Sequence, residues 1–125
     1  MNDYMKFLKN KILVFILLSF CLSTNAQETI NNLKKTKSGV VIVEVNSDFN
    51  SKNSVTFLSQ LKDCKAFRID LSNANALKVK TVPTLIIFDS GQEKRRFEAN
   101  IMMKCEATYN DVQNAINEII LNKFQ

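Results

Sequence analysis

Apolar and polar positions divide this chain into blocks of different kinds. Ile12 to Leu22 (ILVFILLSFCL) is an apolar run, preceded by Lys6, Lys9 and Lys11 and followed by the small, mostly polar Ser23-Thr24-Asn25-Ala26. A basic flank, a short apolar stretch and small residues before a cleavage point make the pattern of a secretory signal peptide. The run is well short of the roughly 20 apolar residues a bilayer span requires. We therefore expect a signal peptide over 1–26 and one domain over 27–125. The chain would be exported, to a periplasm or out of the cell, with no stable membrane insertion after cleavage. An uncleaved anchor, or a lipid on Cys21, fits less well; Phe20 is bulky where a lipoprotein signal carries a small residue.

Beyond the leader the pattern changes period several times. Gln27 to Lys37 is polar with weak helical spacing through Ile30 and Leu33, and predicts a short helix ending at Gly39. Val40-Val41-Ile42-Val43-Glu44-Val45 is almost continuously β-branched, as in a strand covered on both faces. Val55, Leu58 and Leu61 recur at threes and predict a helix from Asn50 or Ser51 to about Lys62. Ala66 to Leu71 reads as a second strand, parallel to the first because a helical crossover would join them. After polar Ser72 to Lys80, Thr84 to Phe88 reads as a third strand. Asp89-Ser90-Gly91-Gln92 makes a turn, and Glu93 to Ala99 returns as the fourth strand of a hairpin. Its Lys94-Arg95-Arg96 run reads as charge on an edge strand, against the alternative of an anion site. A final helix begins at Thr108, with Asp111 in the capping-box position and Val112, Ala115, Ile116, Ile119 and Ile120 as its apolar stripe.

Composition narrows the chemistry. The chain holds 125 residues, 3 cysteines, 2 glycines, 1 proline and no histidine. Lack of histidine removes Ser-His and Cys-His catalysis and most zinc ligand sets. Two glycines cannot build a phosphate-cradling loop. We expect no metal and no cofactor. Removing the leader, with its three lysines and Asp3, takes the formal charge from +5 to +3, too weakly basic for a nucleic-acid footprint. It also removes Cys21, leaving Cys64 and Cys105. Placed at opposite ends of the sheet, these should lie on the order of 17–20 Å apart. A disulfide needs Cα atoms within about 7 Å, so no bond between them is expected.

The order of elements, together with Thr81-Val82-Pro83-Thr84-Leu85-Ile86-Ile87-Phe88-Asp89-Ser90-Gly91-Gln92-Glu93, resembles the thioredoxin superfamily over essentially all of 27–125. That resemblance implies an α/β, thioredoxin-like fold without the first strand of full-length members. The sheet would be mixed and four-stranded, in the order 2-1-3-4, with helices on both faces and a cis Val82–Pro83 bond. It aligns the family's redox motif with Phe49-Asn50-Ser51-Lys52-Asn53, so that Asn50 and Asn53 stand where the two thiols should be. An amide can neither attack a disulfide nor resolve a mixed one. The resemblance also makes Glu44 the family's buried acid; with no thiol to serve, it would be structural, paired with Arg68.

These residues suggest a protein that is not an enzyme and has no catalytic residues. It would be an interaction module holding an extended polypeptide or a partner protein against Phe49, Asn50, Asn53, Val82 and Pro83. In the family the residue before the proline offers its backbone groups to such a chain, so the mode would be β-augmentation. The alternative is a monothiol-dependent thiol-disulfide oxidoreductase using Cys105. A pure scaffold role, and an anion site formed by a helix start with Lys52, are the remaining readings.

Overall fold

The computed structural model describes residues 39–125. The leader over 1–26 and the helix expected over 27–37 lie outside the described residues. Four strands, β1 (Val40–Asn46), β2 (Lys65–Asp70), β3 (Thr84–Asp89) and β4 (Gln92–Phe97), form one sheet in the order β2-β1-β3-β4. β1 and β2 are parallel, whereas β1–β3 and β3–β4 are antiparallel. One α-helix, α1 (Tyr109–Asn122), follows the sheet.

The β-branched run of β1 sits at the centre because both of its faces are covered. Val40 and Ile42 pack with Leu85, Ile87 and the α1 residues Val112, Ala115 and Ile116. Val41, Val43 and Val45 point the other way, onto Ile86, Phe88, Ala74 and Leu77. That second face is covered by the short 3₁₀ turns Leu71–Asn73 and Asn75–Leu77. Each fully buried aliphatic side chain contributes about 1.5–3 kcal/mol, so the two layers together hold the sheet. The hairpin turns through Ser90 and Gly91, both left-handed (φ 52° and 81°), the backbone of a type I′ turn that matches strand twist.

The two arginines of β4 are engaged within the fold. Arg96 binds Glu93 and donates to the carbonyls of Leu77 and Lys78, at 2.7 and 3.1 Å, tying the 3₁₀ layer to the edge strand. Arg95 lies over the Phe97 ring at 5.0 Å and 3.9 Å from Glu118. For Arg95 and Arg96 this pairing agrees with a charged edge rather than an anion site.

One expected element is absent. No α-helix runs from Asn50 to Lys62; the chain makes 3₁₀ turns at Asp48–Asn53 and Leu58–Gln60, with non-helical Asn50 (φ −113°, ψ 16°) inside the first. The segment's backbone groups are satisfied from elsewhere. The Val55 N–H donates to Glu44 Oε2 at 2.6 Å, and its carbonyl accepts from Arg68 Nη2. The Gln113 side chain of α1 bonds both the N–H and the carbonyl of Lys62, at 2.8 and 3.2 Å. Asn, Ser and Thr crowd the stretch, and their side chains compete with helical bonding. Val55 and Leu58 nonetheless reach the core, with Leu61 partly buried against it. The crossover is therefore parallel, as expected, without being an α-helix.

Candidate functional site

At the carboxyl end of β1 three asparagines form one network. Asn46 Nδ2 donates to Ser54 Oγ at 2.9 Å and to the Asn50 carbonyl at 3.1 Å. Asn53 Nδ2 donates to Asn50 Oδ1 at 2.7 Å. Asn50 Nδ2 faces three acceptors: Asn46 Oδ1 at 3.2 Å, the Val82 carbonyl at 3.2 Å and the Met103 carbonyl at 3.1 Å. An amide has only two N–H bonds to share among them. Asn50 is 3% exposed, so a buried polar group here is fully satisfied, as burial requires.

Asn50 therefore ties together three separate segments: its own turn, the Val82–Pro83 peptide, which is cis, and the loop after β4. It is not the cap of an α-helix, and no such helix starts there to hold an anion beside Lys52. Of the five candidate residues, Asn50, Val82 and Pro83 are buried, Asn53 is half-buried, and Phe49 stands 70% exposed. Asn50 bonds directly to the Val82 carbonyl, and Phe49 and Asn53 flank Asn50. One of the two carbonyl lone pairs at Val82 is thus engaged within the protein.

Sequence reasoning passed over one wall of this site. Phe49, Asn50 and Asn53 share an open depression of about 580 Å³ with Met102, Met103 and Lys104. Those three belong to the loop between β4 and α1, whose shape Asn100 sets. Asn100 Oδ1 accepts from the N–H groups of Met102 and Lys104, at 2.9 and 3.2 Å, and its own backbone bonds Lys104 and Met103. Met103 takes a left-handed φ of 57°. A signal was available: two adjacent methionines and an isoleucine after a strand returning toward Phe49, in a loop with an asparagine at its head.

Beneath the site, Glu44 is completely buried. Its Oε1 pairs with Arg68 Nε at 2.9 Å and its Oε2 accepts from Val55. Arg68 faces Glu44 in the strand register, with 54% of its side chain exposed. Both carboxylate oxygens are occupied in holding the crossover.

Cys64 and Cys105 are both free and partly buried against the α1-side core. Burial pushes the Cys105 thiol above its ordinary value; a backbone hydrogen bond at Ala107 works the other way, and the carboxylates of Glu44 and Glu106 raise it further. Burial, then Asp63, also raises Cys64. A thiol shifted upward holds less of the reactive thiolate at neutral pH. Among the described residues no three His, Cys, Asp or Glu side chains converge as a metal site would need.

No protein-family model matches the chain, and no curated protein matches it. Solved structures do. A thioredoxin from Schistosoma mansoni superposes with a TM-score of 0.56 at 17% identity, over 73% of this chain and 86% of its own. A mutant thioredoxin from Halobacterium salinarum gives 0.53 at 19% identity, over 68% and 78%. Thioredoxin O2 of Arabidopsis thaliana, in its oxidized state, gives 0.50 at 18%, over 74% and 88%. At such identities the likeness speaks of architecture: the chain has a thioredoxin-like fold.

Proposed function

We propose that this protein is an exported, thioredoxin-like interaction module without dithiol redox activity, which holds extended polypeptide in the groove beside the Val82–Pro83 loop. The observation that carries the reading is the state of Asn50. Asn50, which the resemblance aligns with the family's first thiol, is a buried amide bonded to the Val82 and Met103 carbonyls, while Phe49 beside it stays open to solvent. The site keeps a contact surface and has no nucleophile at its centre. The Val82 carbonyl is buried beneath Asn50 and does not line the depression, so a ligand would hydrogen-bond at the half-buried Asn53 amide, with Phe49 as its apolar contact. Each such bond is worth only about 0.5–1.5 kcal/mol net, so binding is weak and reversible. Export rests on the leader at 1–26.

The test is an NMR titration of the exported protein with unfolded polypeptide. Shifts should cluster on Phe49, Asn50, Asn53 and Val82, and Phe49→Ala should weaken them. No shifts at millimolar ligand, or shifts elsewhere, would reject the site. The reading that uses Cys105 makes the opposite forecast in an insulin-reduction assay with dithiothreitol: turnover above the uncatalysed rate, abolished by Cys105→Ser. The upward shift of that thiol and its packing against the core favour the binding module.

A further inference from the structure

The rim of the groove carries a chemical preference that the groove alone does not. Its apolar members are well exposed: Met102 is 67% and Phe49 70% exposed, and Ile101, next to Met102 but outside the lining, is fully exposed. The loop that presents Ile101 and Met102 is not slack. Asn100 braces it through four hydrogen bonds to the backbone of Met102, Met103 and Lys104, and Asn50 pins it through the Met103 carbonyl. A loop held so firmly with its apolar side chains outward is preorganised for contact, which lowers the ordering cost of binding. The charges lining the depression are of one sign, while Asp48 and Glu106 lie close to it in the chain. Lys52 and Lys104 line it with no acidic residue among the lining. Neither lysine is paired with a carboxylate among the described residues.

Exposed apolar side chains that share a depression with two cations unpaired among the described residues suit a ligand that is apolar and anionic. The surface is concave, and its floor is the polar Asn50–Asn53 pair. That shape receives a side chain or an extended segment better than it lies against a flat bilayer. Resting on the polypeptide-binding reading above, we infer that the site takes polypeptide segments whose apolar residues are flanked by aspartate or glutamate. The apolar residue would sit between Phe49 and Met102. The flanking carboxylates would meet Lys52 on one wall and Lys104 on the other, and repel segments flanked by lysine. Exposed pairs of this kind are individually modest, so the selectivity is a matter of a few-fold and is screened by salt.

The experiment compares two probes, a short Val/Leu peptide flanked by glutamates and the same peptide flanked by lysines. Each is titrated into the isotope-labelled protein at low and high salt. The glutamate peptide should bind about threefold to tenfold more tightly at low salt, with shifts on Phe49, Asn53, Met102 and Lys104, and salt should narrow the gap. The double variant Lys52→Glu/Lys104→Glu alters two exposed side chains and should invert the preference; an unchanged amide spectrum elsewhere checks its fold. Equal binding of both peptides at Phe49 would overturn the charge preference and leave the polypeptide-binding reading standing. Failure of both to bind would remove that reading and the inference together. Binding of anionic phosphatidylglycerol vesicles without either peptide would make the surface a lipid-docking face and overturn the inference. Concentration-dependent shifts at Phe49 and Met102 with no ligand present would do the same in favour of a second copy.

Discussion

Residues 50–62 and 109–122 carry apolar side chains on one side and are both flanked by helix-capping residue types, yet only the second is an α-helix. The difference lies in where their backbone groups find partners. In α1 they bond within the segment, and the first turn is closed by Thr108 and Asp111, each accepting from the other's backbone N–H, at 3.2 and 2.8 Å. In 50–62 the buried Val55 gives its N–H to Glu44 and its carbonyl to Arg68, while Lys62 gives both of its groups to Gln113. A segment becomes a helix when helix is the best offer available to its backbone. Here two strand residues and one helix residue make a better one, and the chain is left free to form the irregular turn that positions Asn50.

If that account is right, the largest effect should come from removing the competitor. Glu44→Leu leaves the Val55 N–H without an acceptor and Arg68 without its buried partner. Breaking a buried charge pair costs about 3–5 kcal/mol, and the half-exposed guanidinium places this case near the lower figure. Denaturant unfolding should show a loss of about 3 kcal/mol, and hydrogen exchange at Val55 should quicken more than at neighbouring strand amides. Glu44→Gln, which keeps an acceptor, should lose less. A small effect from Glu44→Leu would mean that composition alone, and not the carboxylate, shapes the segment.

Asn50→Ala tests the other end of the same arrangement. It removes the shared donor of the Val82 and Met103 carbonyls, both of which lie at or near the buried site. Leaving such groups unsatisfied costs about 1–3 kcal/mol, less here because water can reach Met103. Stability should fall by about 1 kcal/mol, the low end of that range, and the amide resonances of 101–104 should broaden or move. If the loop signals stay in place, Asn100 alone holds the loop.

Much of this was legible in the amino-acid order, and the exceptions have reasons. The strands were readable to within a residue or two at most ends; β1 and β3 are buried on both faces and so carry apolar runs broken only by Glu44 and by polar residues at their ends. The Glu44–Arg68 pair was expected from the resemblance and the adjacency of the two strands, and the register sets the two residues opposite one another. The α1 cap followed from Thr108 and Asp111 three apart. The false helix carried a warning: Val55, Leu58 and Leu61 recur strictly at threes, the period of a 3₁₀ turn, whereas Val112, Ala115, Ile116, Ile119 and Ile120 recur at threes and fours, the period of an α-helix. Met102, Met103 and Lys104 could not be assigned to the site by spacing, since they meet Asn50 through a bond between positions 50 and 103. Only the direction of β4 brings them there.

The helix that did form should be less sensitive. Thr108→Ala removes the hydroxyl that accepts from the Asp111 N–H, and losing a cap of this kind costs about 1 kcal/mol. The melting temperature should drop by a few degrees, with the loss of hydrogen-exchange protection confined to the first turn of α1. An effect as large as that of Glu44→Leu would mean that α1 depends on its cap more than on its buried stripe.

The smallest effect separates the charge in that cap from its geometry. Hydrogen bonds from the Thr108 backbone and side chain hold the Asp111 carboxyl below its ordinary value, with Arg95 adding to them. A carboxyl whose pKa is lower folded than unfolded contributes stability above its unfolded value, near 3.9, and that contribution disappears as pH falls through the folded value. Asp70, held low by the side chain and backbone N–H of Ser72, behaves likewise, so acid unfolding of the wild type alone would not isolate one from the other. The difference between wild type and Asp111→Asn does, because every other group cancels. That difference should be steady near neutral pH, begin to shrink as pH falls through about 4, and reach zero only below the lowered folded value, where wild-type Asp111 is a neutral side chain like the asparagine. A difference that persists unchanged at low pH would mean that the shape of the Asp111 side chain, and not its charge, closes the first turn of α1.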